Sequence, residues 1–182
     1  MQADAENVEP QGLDEWSAWL AEHHGRGDGV WLVSRRKAAD RAVSYEDCVV
    51  EALRWGWVDS TQQPVDEHRS RMWFAPRRSG SIWTRRNKER VARLVAEGRL
   101  EPAGLAAVDA AKANGNWTLM DAVEDRIVPD DLAAALDALG AREGWDRLTP
   151  SAQKQQLAWI ATAKRPETRA KRVAATAEAA AE

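Results

Sequence analysis

Hydrophobic positions follow two different periods along this chain, and each period predicts a different element. Between residues 14 and 23, apolar side chains recur every three or four positions, which is the spacing of one helix face. Residues 30–33 form a continuous apolar run, typical of a short buried strand. After Gly56 the period becomes two, over residues 57–65 and again over 71–76. The pattern therefore predicts a small antiparallel sheet of about three strands packed by helices.

Capping residues and helix breakers mark where the predicted helices begin and end. Asp14 is expected to cap the first helix, and Ser44 with Asp47 forms a loose capping box for the second, which Gly56 ends. From Thr84 onward the whole chain has a helical pattern. Its last helix ends in an Ala/Glu run that we expect to fray. Further helices are expected to start near Pro102, Pro129, Thr149 and Pro166.

These elements predict a predominantly helical α+β fold in three segments. Residues 1–11 are polar and are predicted to be a flexible tail. Residues 12–128 are predicted to form an α+β core domain that contains the sheet. Residues 129–182 are predicted to form a helical C-terminal region.

Composition restricts the classes of protein that this chain resembles. The formal net charge of its 182 residues is −3, so the overall charge does not favour nucleic-acid binding. No run approaches the roughly 20 apolar residues that span a membrane. The first ten residues lack the basic start and apolar run of an export signal. The single cysteine, Cys48, is expected to be a buried structural thiol, and its being alone fits a reducing compartment. We therefore expect a cytoplasmic protein without a membrane span.

The aromatic residues and histidines leave the chemistry open. Ten Trp stand against one Phe and one Tyr, which predicts a rigid core, a ligand-stacking surface, or both. His23, His24 and His68 do not combine with Cys48 in the spacing of a metal site. Motifs for phosphate loops and dinucleotide binding are missing. No metal and no cofactor are therefore expected.

Residues 55–90 carry the candidate ligand site. If residue 65 pairs with residue 70 across the turn, Asp59 lies opposite Pro76 and next to Arg77. Arginines, hydroxyls and the free N–H groups at a helix start suit an anion, and Trp side chains add a stacking wall. The candidate ligand-binding residues are Trp57, Asp59, Trp73, Arg77, Arg78, Ser81, Trp83 and Asn87.

The same residues also have purely structural interpretations. Asp59 and an arginine can form an ion pair, while Ser81 and Asn87 satisfy hydrogen bonds of a loop and a helix cap. Asp59 is a possible general base, but no activated nucleophile or acid partner is evident near it in the sequence. We therefore assign no catalytic residue, and enzymatic activity stays open.

A second candidate surface lies in the basic stretch 164–172, which holds five basic residues and one acidic residue. Such a stretch suits phosphate, an anionic membrane surface or an acidic protein partner. The alternative is a solvated helix face that balances acidic residues elsewhere on the chain. The candidate residues are Lys164, Arg165, Arg169 and Arg172.

Several segments resemble the YdeI/OmpD-associated family, and together the resemblance covers nearly all of residues 12 to 178. The C-terminal motif of this resemblance is Ala-Lys-Arg-Pro-Glu-Thr-Arg at residues 163–169, after Ala-Trp-Ile at 158–160. Earlier segments are Trp-Ser-Ala-Trp-Leu at 16–20, Gly-Val-Trp-Leu at 29–32, Ser-Tyr-Glu-Asp at 44–47, Gly-Trp-Val-Asp-Ser at 56–60, Phe-Ala-Pro-Arg-Arg at 74–78 and Ser-Ile-Trp-Thr at 81–84 with Asn87.

The resemblance implies a bacterial stress-protection protein linked to resistance against bacteriocins or antimicrobial peptides. It implies no catalytic residue set. Three hypotheses follow for its molecular role: binding of a small molecule, anion or peptide in a Trp/Arg-lined pocket; an enzyme for a small anionic or aromatic substrate with Asp59 as general base; or an interaction module that uses the basic C-terminal helix on a protein or nucleic acid. We rank ligand binding first.

Overall fold

The computed structural model describes residues 5–36 and 43–182, so the first four residues of the predicted tail and most of the loop after the first predicted strand lie outside the described residues. The chain divides into two compact units. The N-terminal unit comprises Met1–Ser81 and Arg86–Asn114, and the C-terminal unit comprises Ile82–Arg85 and Gly115–Glu182.

The sheet of the N-terminal unit has four strands in the described residues. They are β1 (Asn7–Val8), β2 (Val30–Arg35), β3 (Trp57–Pro64) and β4 (Arg69–Pro76), in the spatial order β1-β2-β4-β3. The β1 strand runs parallel to β2, and the other pairs are antiparallel. The helix-rich α+β class is confirmed, whereas the expected count of about three strands is one too low. A two-residue strand is too short to show any alternation, which is why β1 went unpredicted within the tail.

The register of the β3–β4 hairpin differs from the predicted one. Near the turn Pro64 lies opposite Ser70, and at the other end Asp59 lies opposite Phe74. The register shifts between Asp59 and Gln62, as at a β-bulge. The predicted pairing of Asp59 with Pro76 is therefore wrong. Hydrophobic alternation cannot locate such a shift, because it changes the side-chain pattern over only one or two residues.

Four helices complete the N-terminal part of the chain: α1 (Leu13–His23), α2 (Tyr45–Arg54), α3 (Arg85–Ala96) and α4 (Pro102–Ala113). Ser44 caps α2 as predicted, because its hydroxyl accepts a hydrogen bond from the Asp47 backbone N–H. The predicted cap of α1 is wrong. That helix begins at Leu13 after Gly12, and Asp14 lies in its first turn, where a negative charge still favours the helix.

Aromatic side chains from α1 and the sheet build the core of this unit. The Trp16 ring meets the edge of Phe74 at a centroid distance of 5.3 Å, and Trp19 meets Trp57 at 5.8 Å. Burying an indole leaves its N–H in need of a partner. The Trp16 Nε1 atom donates to the Cys48 carbonyl oxygen over 3.1 Å, so this hydrogen bond also ties α1 to α2. Cys48 is buried, as predicted.

The C-terminal unit holds five further helices: α5 (Asp121–Glu124), α6 (Asp130–Ala138), α7 (Arg142–Arg147), α8 (Pro150–Ala161) and α9 (Pro166–Ala181). The short helices α5 and α7 were not predicted, because they span too few residues to display a helical period. The buried side chains of this unit are mostly aliphatic, and the indoles of Trp83 and Trp145 are buried with them. They include Val123, Leu132, Leu136, Trp145, Leu157, Ile160, Val173 and Ala177.

The Ala/Glu run at the end of α9 does not fray as expected. The helix continues to Ala181, and Ala177 and Ala180 are buried in the core of the C-terminal unit. A Cβ added at Gly144 of α7 would come within 1.8 Å of the Ala180 carbonyl oxygen, so α7 and α9 touch backbone to backbone. Among the described helices, none is long and apolar enough to cross a membrane.

Candidate functional site

A cleft of about 360 Å³ lies beside α2 on one face of the sheet. Its position follows from strand alternation, because register partners in antiparallel strands point to the same face. Leu32 is paired with Met72, and Ser34 with Ser70, so all four side chains share that face. The lining is apolar at one end and hydroxyl- and amide-bearing at the other. It consists of Leu32, Ser34, Val43, Tyr45, Cys48, Gln62, Ser70, Met72 and Phe74.

A tyrosine–carboxylate pair lies at the α2 side of this cleft. Tyr45, the first residue of α2, donates its hydroxyl hydrogen to Asp59 Oδ2 over 2.6 Å. Partial burial, and then the hydrogen bond to Asp59, raise the pKa of Tyr45 to about 12. The phenol therefore remains protonated at neutral pH, and one oxygen of Asp59 is committed to it. The nearby charges of Arg90 and Arg86 act in the opposite direction on this pKa.

Glu46, the next residue of α2, is surrounded by arginines of α3. Arg90 donates its Nε to Glu46 over 2.9 Å, and Arg86 donates an Nη over 2.8 Å. Arg93 is a more distant third cation at 3.7 Å. The hydrogen bond from Arg90 is the main reason that the pKa of Glu46 falls to about 2. Arg90 is buried and also donates to the Asn87 side-chain oxygen, so this cluster fastens α3 to α2.

A second, larger depression of about 790 Å³ lies in the same unit. It brings together three residues of the sequence-predicted site: Trp73, Arg77 and Arg78. Trp73 is half-buried and meets the Trp31 ring at 5.1 Å in an edge contact. The Gly29 backbone passes so close beneath Trp73 that a Cβ there would lie 2.4 Å from the ring. Arg26 adds another cation to the lining.

The two arginines that follow β4 differ in their environments. Burial lowers the pKa of Arg77 to about 10, and the negative charge of Asp59 acts against that shift. Arg77 remains a cation at neutral pH, held by its backbone N–H at 2.9 Å from the Gly56 carbonyl oxygen. Arg78 is exposed, and its backbone N–H donates to Ser81 Oγ over 3.1 Å. Ser81 thus shapes the turn that presents Arg78.

The remaining predicted residues lie elsewhere. Trp57 is fully buried in the aromatic core, where its Nε1 donates to the His24 carbonyl oxygen over 3.0 Å. Asn87 is buried against Arg90. Trp83 belongs to the C-terminal unit and packs against Trp117 at 5.0 Å. In the described part of the chain, no three His, Cys, Asp or Glu side chains come together as a metal site would need.

Comparison with known families divides the chain at nearly the same place as its packing does. Residues 8–107 match the model of a family described as a domain of unknown function, DUF8412. The chain belongs to this family. Residues 125–182 match the model of a second family, described as Bacteriocin-protection, YdeI or OmpD-Associated. No curated protein and no solved structure matches the chain with significance.

The predicted resemblance to the YdeI/OmpD-associated family is confirmed on the C-terminal segment. Residues 125–182 are therefore similar to that family and are called the YdeI/OmpD-associated module below. The model of that family does not extend over the N-terminal segments of the predicted resemblance. Those segments fall within the DUF8412 match, which comes with no described function.

Within the YdeI/OmpD-associated module, intramolecular contacts engage half of the predicted basic surface. Arg169 makes a two-pronged ion pair with Asp131, at 2.7 and 3.0 Å. Arg172 lies over the Trp159 ring at 5.2 Å and donates to the Thr162 hydroxyl over 3.2 Å. Lys164 and Arg165 are exposed and lie just before α9. The four residues are therefore not equivalent as partners for an external anion.

Sequence reasoning missed the residues of the α2 cleft and the cluster around Glu46. One signal for the cluster was present, because Arg86, Arg90 and Arg93 recur at the spacing of a single helix face. No comparable signal marks the cleft. Its lining comes from β2, α2, β3 and β4, and only the folded sheet brings these segments together.

Proposed function

We propose that this chain is a protection protein whose N-terminal unit binds an anionic, flat ligand in the depression lined by Trp73, Arg77 and Arg78. The observation that carries the proposal is that these three side chains share one depression of about 790 Å³. The context of protection comes from the YdeI/OmpD-associated module at residues 125–182. Binding is favoured over catalysis because, among the described residues, no serine, threonine, cysteine or lysine lines the depression.

The chemistry of the lining supports an anion with an aromatic or planar part. Arginine donates several N–H groups in a plane, which suits carboxylate, sulfonate and phosphate oxygens. Half-buried Trp73 offers an indole for stacking, and the space at Gly27 is open, whereas the Gly29 backbone already packs against the ring. Glu6 and Asp28 also line the depression, and Glu6 pairs with Arg26 at 2.6 Å. After this pairing the lining keeps the cations of Arg77 and Arg78 against the single carboxylate of Asp28, so its preference for an anion comes from the two arginines.

Anilinonaphthalene sulfonate, a flat fluorescent anion, is a suitable probe. We expect it to bind the wild-type chain with a rise in fluorescence, and we expect Trp73→Ala and Arg78→Ala each to weaken binding by about tenfold, since each removes one direct contact with the probe. Arg147→Ala is the matched control, because it removes an exposed cation from α7. Equal binding by all four proteins would refute the site.

The protective role is tested in cells. A bacterial strain that depends on this chain for survival under a bacteriocin or a cationic antimicrobial peptide is complemented with the same four genes. We expect Trp73→Ala and Arg78→Ala to lose protection at unchanged protein levels, and Arg147→Ala to keep it. Full protection by both site variants would show that the depression is not needed for protection, even if the fluorescent anion binds there.

An enzyme is the second candidate, favoured by the 2.6 Å hydrogen bond between Tyr45 and Asp59 at the edge of the cleft. In this alternative Asp59 is the general base and Tyr45 a proton donor. A turnover screen with aromatic esters and phosphates tests it. Asp59→Asn and Tyr45→Phe should both abolish any activity found while the fold persists, and undiminished turnover in these variants would exclude the assignment.

A further inference from the structure

The α2 cleft has a chemistry different from that of the depression. No charged side chain lines it among the described residues. Leu32, Met72 and Phe74 form one wall from adjacent strands, and Val43 and Cys48 add apolar surface from the α2 side. Ligand sites are typically concave, mainly apolar, and furnished with a few polar groups that fix orientation. This cleft has that composition.

The polar groups of the cleft lie at one end of the sheet. Ser34 and Ser70 are register partners on β2 and β4, so their hydroxyls are adjacent. Gln62 of β3 donates its amide to Ser70 Oγ over 3.3 Å. Ser70 is only 6% exposed, which places a hydroxyl group inside the cleft, away from bulk water. At this end of the cleft, a ligand group could hydrogen-bond to the serine hydroxyls and the glutamine amide, which include both donors and acceptors.

The volume of the cleft sets the size of its occupant. The volume of the cleft is about 360 Å³, which is more than twice the ~150 Å³ of an apolar protein cavity that binds benzene. It therefore has room for two fused or linked rings, or for an alkyl chain of similar volume. Among the described lining residues a charged head group finds no counter-charge, and burying an unpaired charge is costly. Tyr45, whose hydroxyl is committed to Asp59, lines the cleft as a neutral ring.

We propose that the cleft between α2 and the sheet is a second binding site, which takes a small, neutral, mostly apolar molecule carrying one hydrogen-bonding group. Its apolar body packs on Leu32, Met72 and Phe74, and its polar group meets the Ser34–Ser70–Gln62 end. This site is distinct in residues and in charge preference from the Trp73 depression. The two share no lining residue.

N-phenyl-naphthylamine is the probe, because it is neutral, has one N–H group and lacks the sulfonate of anilinonaphthalene sulfonate. The chain has three methionines, and Met72 lines the cleft whereas the partly buried Met120 packs against the core of the C-terminal unit. In a spectrum of methyl-labelled methionines, assigned with Met72→Leu, the Met72 signal should shift to saturation as the probe is added. The Met120 signal should stay in place. An unmoved Met72 signal, or equal movement of both signals, would overturn the proposal.

Substitutions that fill the cleft provide a second, independent test of the proposed site. Ser34→Phe projects a ring into the cleft and should weaken binding of N-phenyl-naphthylamine by about tenfold or more, while binding of anilinonaphthalene sulfonate is unchanged. Thr61→Phe is the matched control, since it adds the same ring at an exposed position of β3. If Ser34→Phe does not fold, Ser70→Ala replaces it in the test. This variant deletes a cleft hydroxyl without adding volume and should also weaken binding of the probe. Unaltered affinity in the folded cleft variants would refute the site.

Discussion

The two units differ in what they bury. The N-terminal unit buries large aromatic rings together with polar and charged side chains, among them Glu51, Ser70, Asn87 and Arg90. In the C-terminal unit Thr176 is the one buried polar side chain among the described residues, and the core is mostly aliphatic. Large rings that pack around polar groups leave clefts with hydrogen-bonding walls, whereas small side chains allow backbones to touch. Both candidate ligand sites lie in the N-terminal unit, beside its buried rings.

Glu51 shows how the N-terminal unit accommodates a buried charge. Its carboxylate accepts a hydrogen bond from the Ser17 hydroxyl at 2.7 Å. It also pairs with Arg54 at 3.0 Å and with Arg99 at 3.2 Å. A buried carboxylate is tolerated only when its oxygens are satisfied in this way. Side chains from α1, α2 and the segment after α3 are thereby held in one arrangement.

The largest expected effect comes from comparing two tryptophans of the N-terminal unit, one assigned to the core and one to the candidate site. Trp57→Ala removes a fully buried ring and should lower the free energy of unfolding by about 4 kcal/mol. Trp73→Ala removes a half-buried ring and should cost about half of that. Urea unfolding followed by circular dichroism measures both. Equal losses would mean that Trp73 is as much a core residue as Trp57.

Close backbone packing in the C-terminal unit is tested by Gly144→Ala. The new Cβ would lie 1.8 Å from the Ala180 carbonyl oxygen, so α7 and α9 must move apart, at an expected cost of about 3 kcal/mol. Glu143→Ala, at an exposed neighbouring position, should change stability by less than about 0.5 kcal/mol. Thermal unfolding of the two variants gives the comparison. A tolerated alanine at 144 would contradict the backbone contact.

A smaller, pH-dependent effect on stability is expected from Glu46, whose carboxylate is paired with arginines in the N-terminal unit. The folded pKa of Glu46 is about 2, below its ordinary 4.5, chiefly because of the hydrogen bond from Arg90. A depressed carboxyl pKa stabilises the fold above pH 4.5, and this contribution is lost as the pH falls from about 4.5 to about 2. Because Glu46 is 38% exposed, solvent screening reduces the expected contribution to about 1 kcal/mol.

The measurement for Glu46 is stability against pH for the wild type and Glu46→Gln. We expect the variant to be less stable at neutral pH and to show a flatter decline below pH 4.5, since it has no carboxyl to protonate. Glu143→Gln, whose partner Arg147 is well exposed, serves as the control with an unchanged profile. Parallel profiles for the wild type and Glu46→Gln would show that the arginine cluster contributes nothing to acid stability.

The smallest expected effect is a gain in stability. Arg126 follows α5 with a backbone φ of 56°, in the left-handed region that glycine adopts more readily. Arg126→Gly should relieve this strain and, after the entropy that glycine adds to the unfolded chain, stabilise the protein by about 0.5 kcal/mol. A small rise in Tm is the expected readout. A fall in Tm would mean that the Arg126 side chain contributes more than its backbone conformation costs.

The sequence located only part of the candidate sites. Trp73, Arg77 and Arg78 could be proposed together because they are close in the chain and share a strand end. Trp57, which has the same residue type and lies in the same predicted hairpin, turned out to be core, since alternation gives the face of a strand but not what covers that face. The sequence gives no sign that Tyr45 pairs with Asp59, because Asp59 is fourteen positions away on another element.

Local signals thus determined the elements, and long-range contacts determined the sites. The Ser44 cap, the proline helix starts and the left-handed glycines at 56, 98, 115 and 140 depend on a few neighbouring residues, whose conformational preferences act in any fold. The added strand β1, the register shift in the hairpin and both cavities depend on which segments meet. Hydrophobic burial is not directional, so the sequence pattern states that a face is covered, and only the tertiary structure selects what covers it and where space is left.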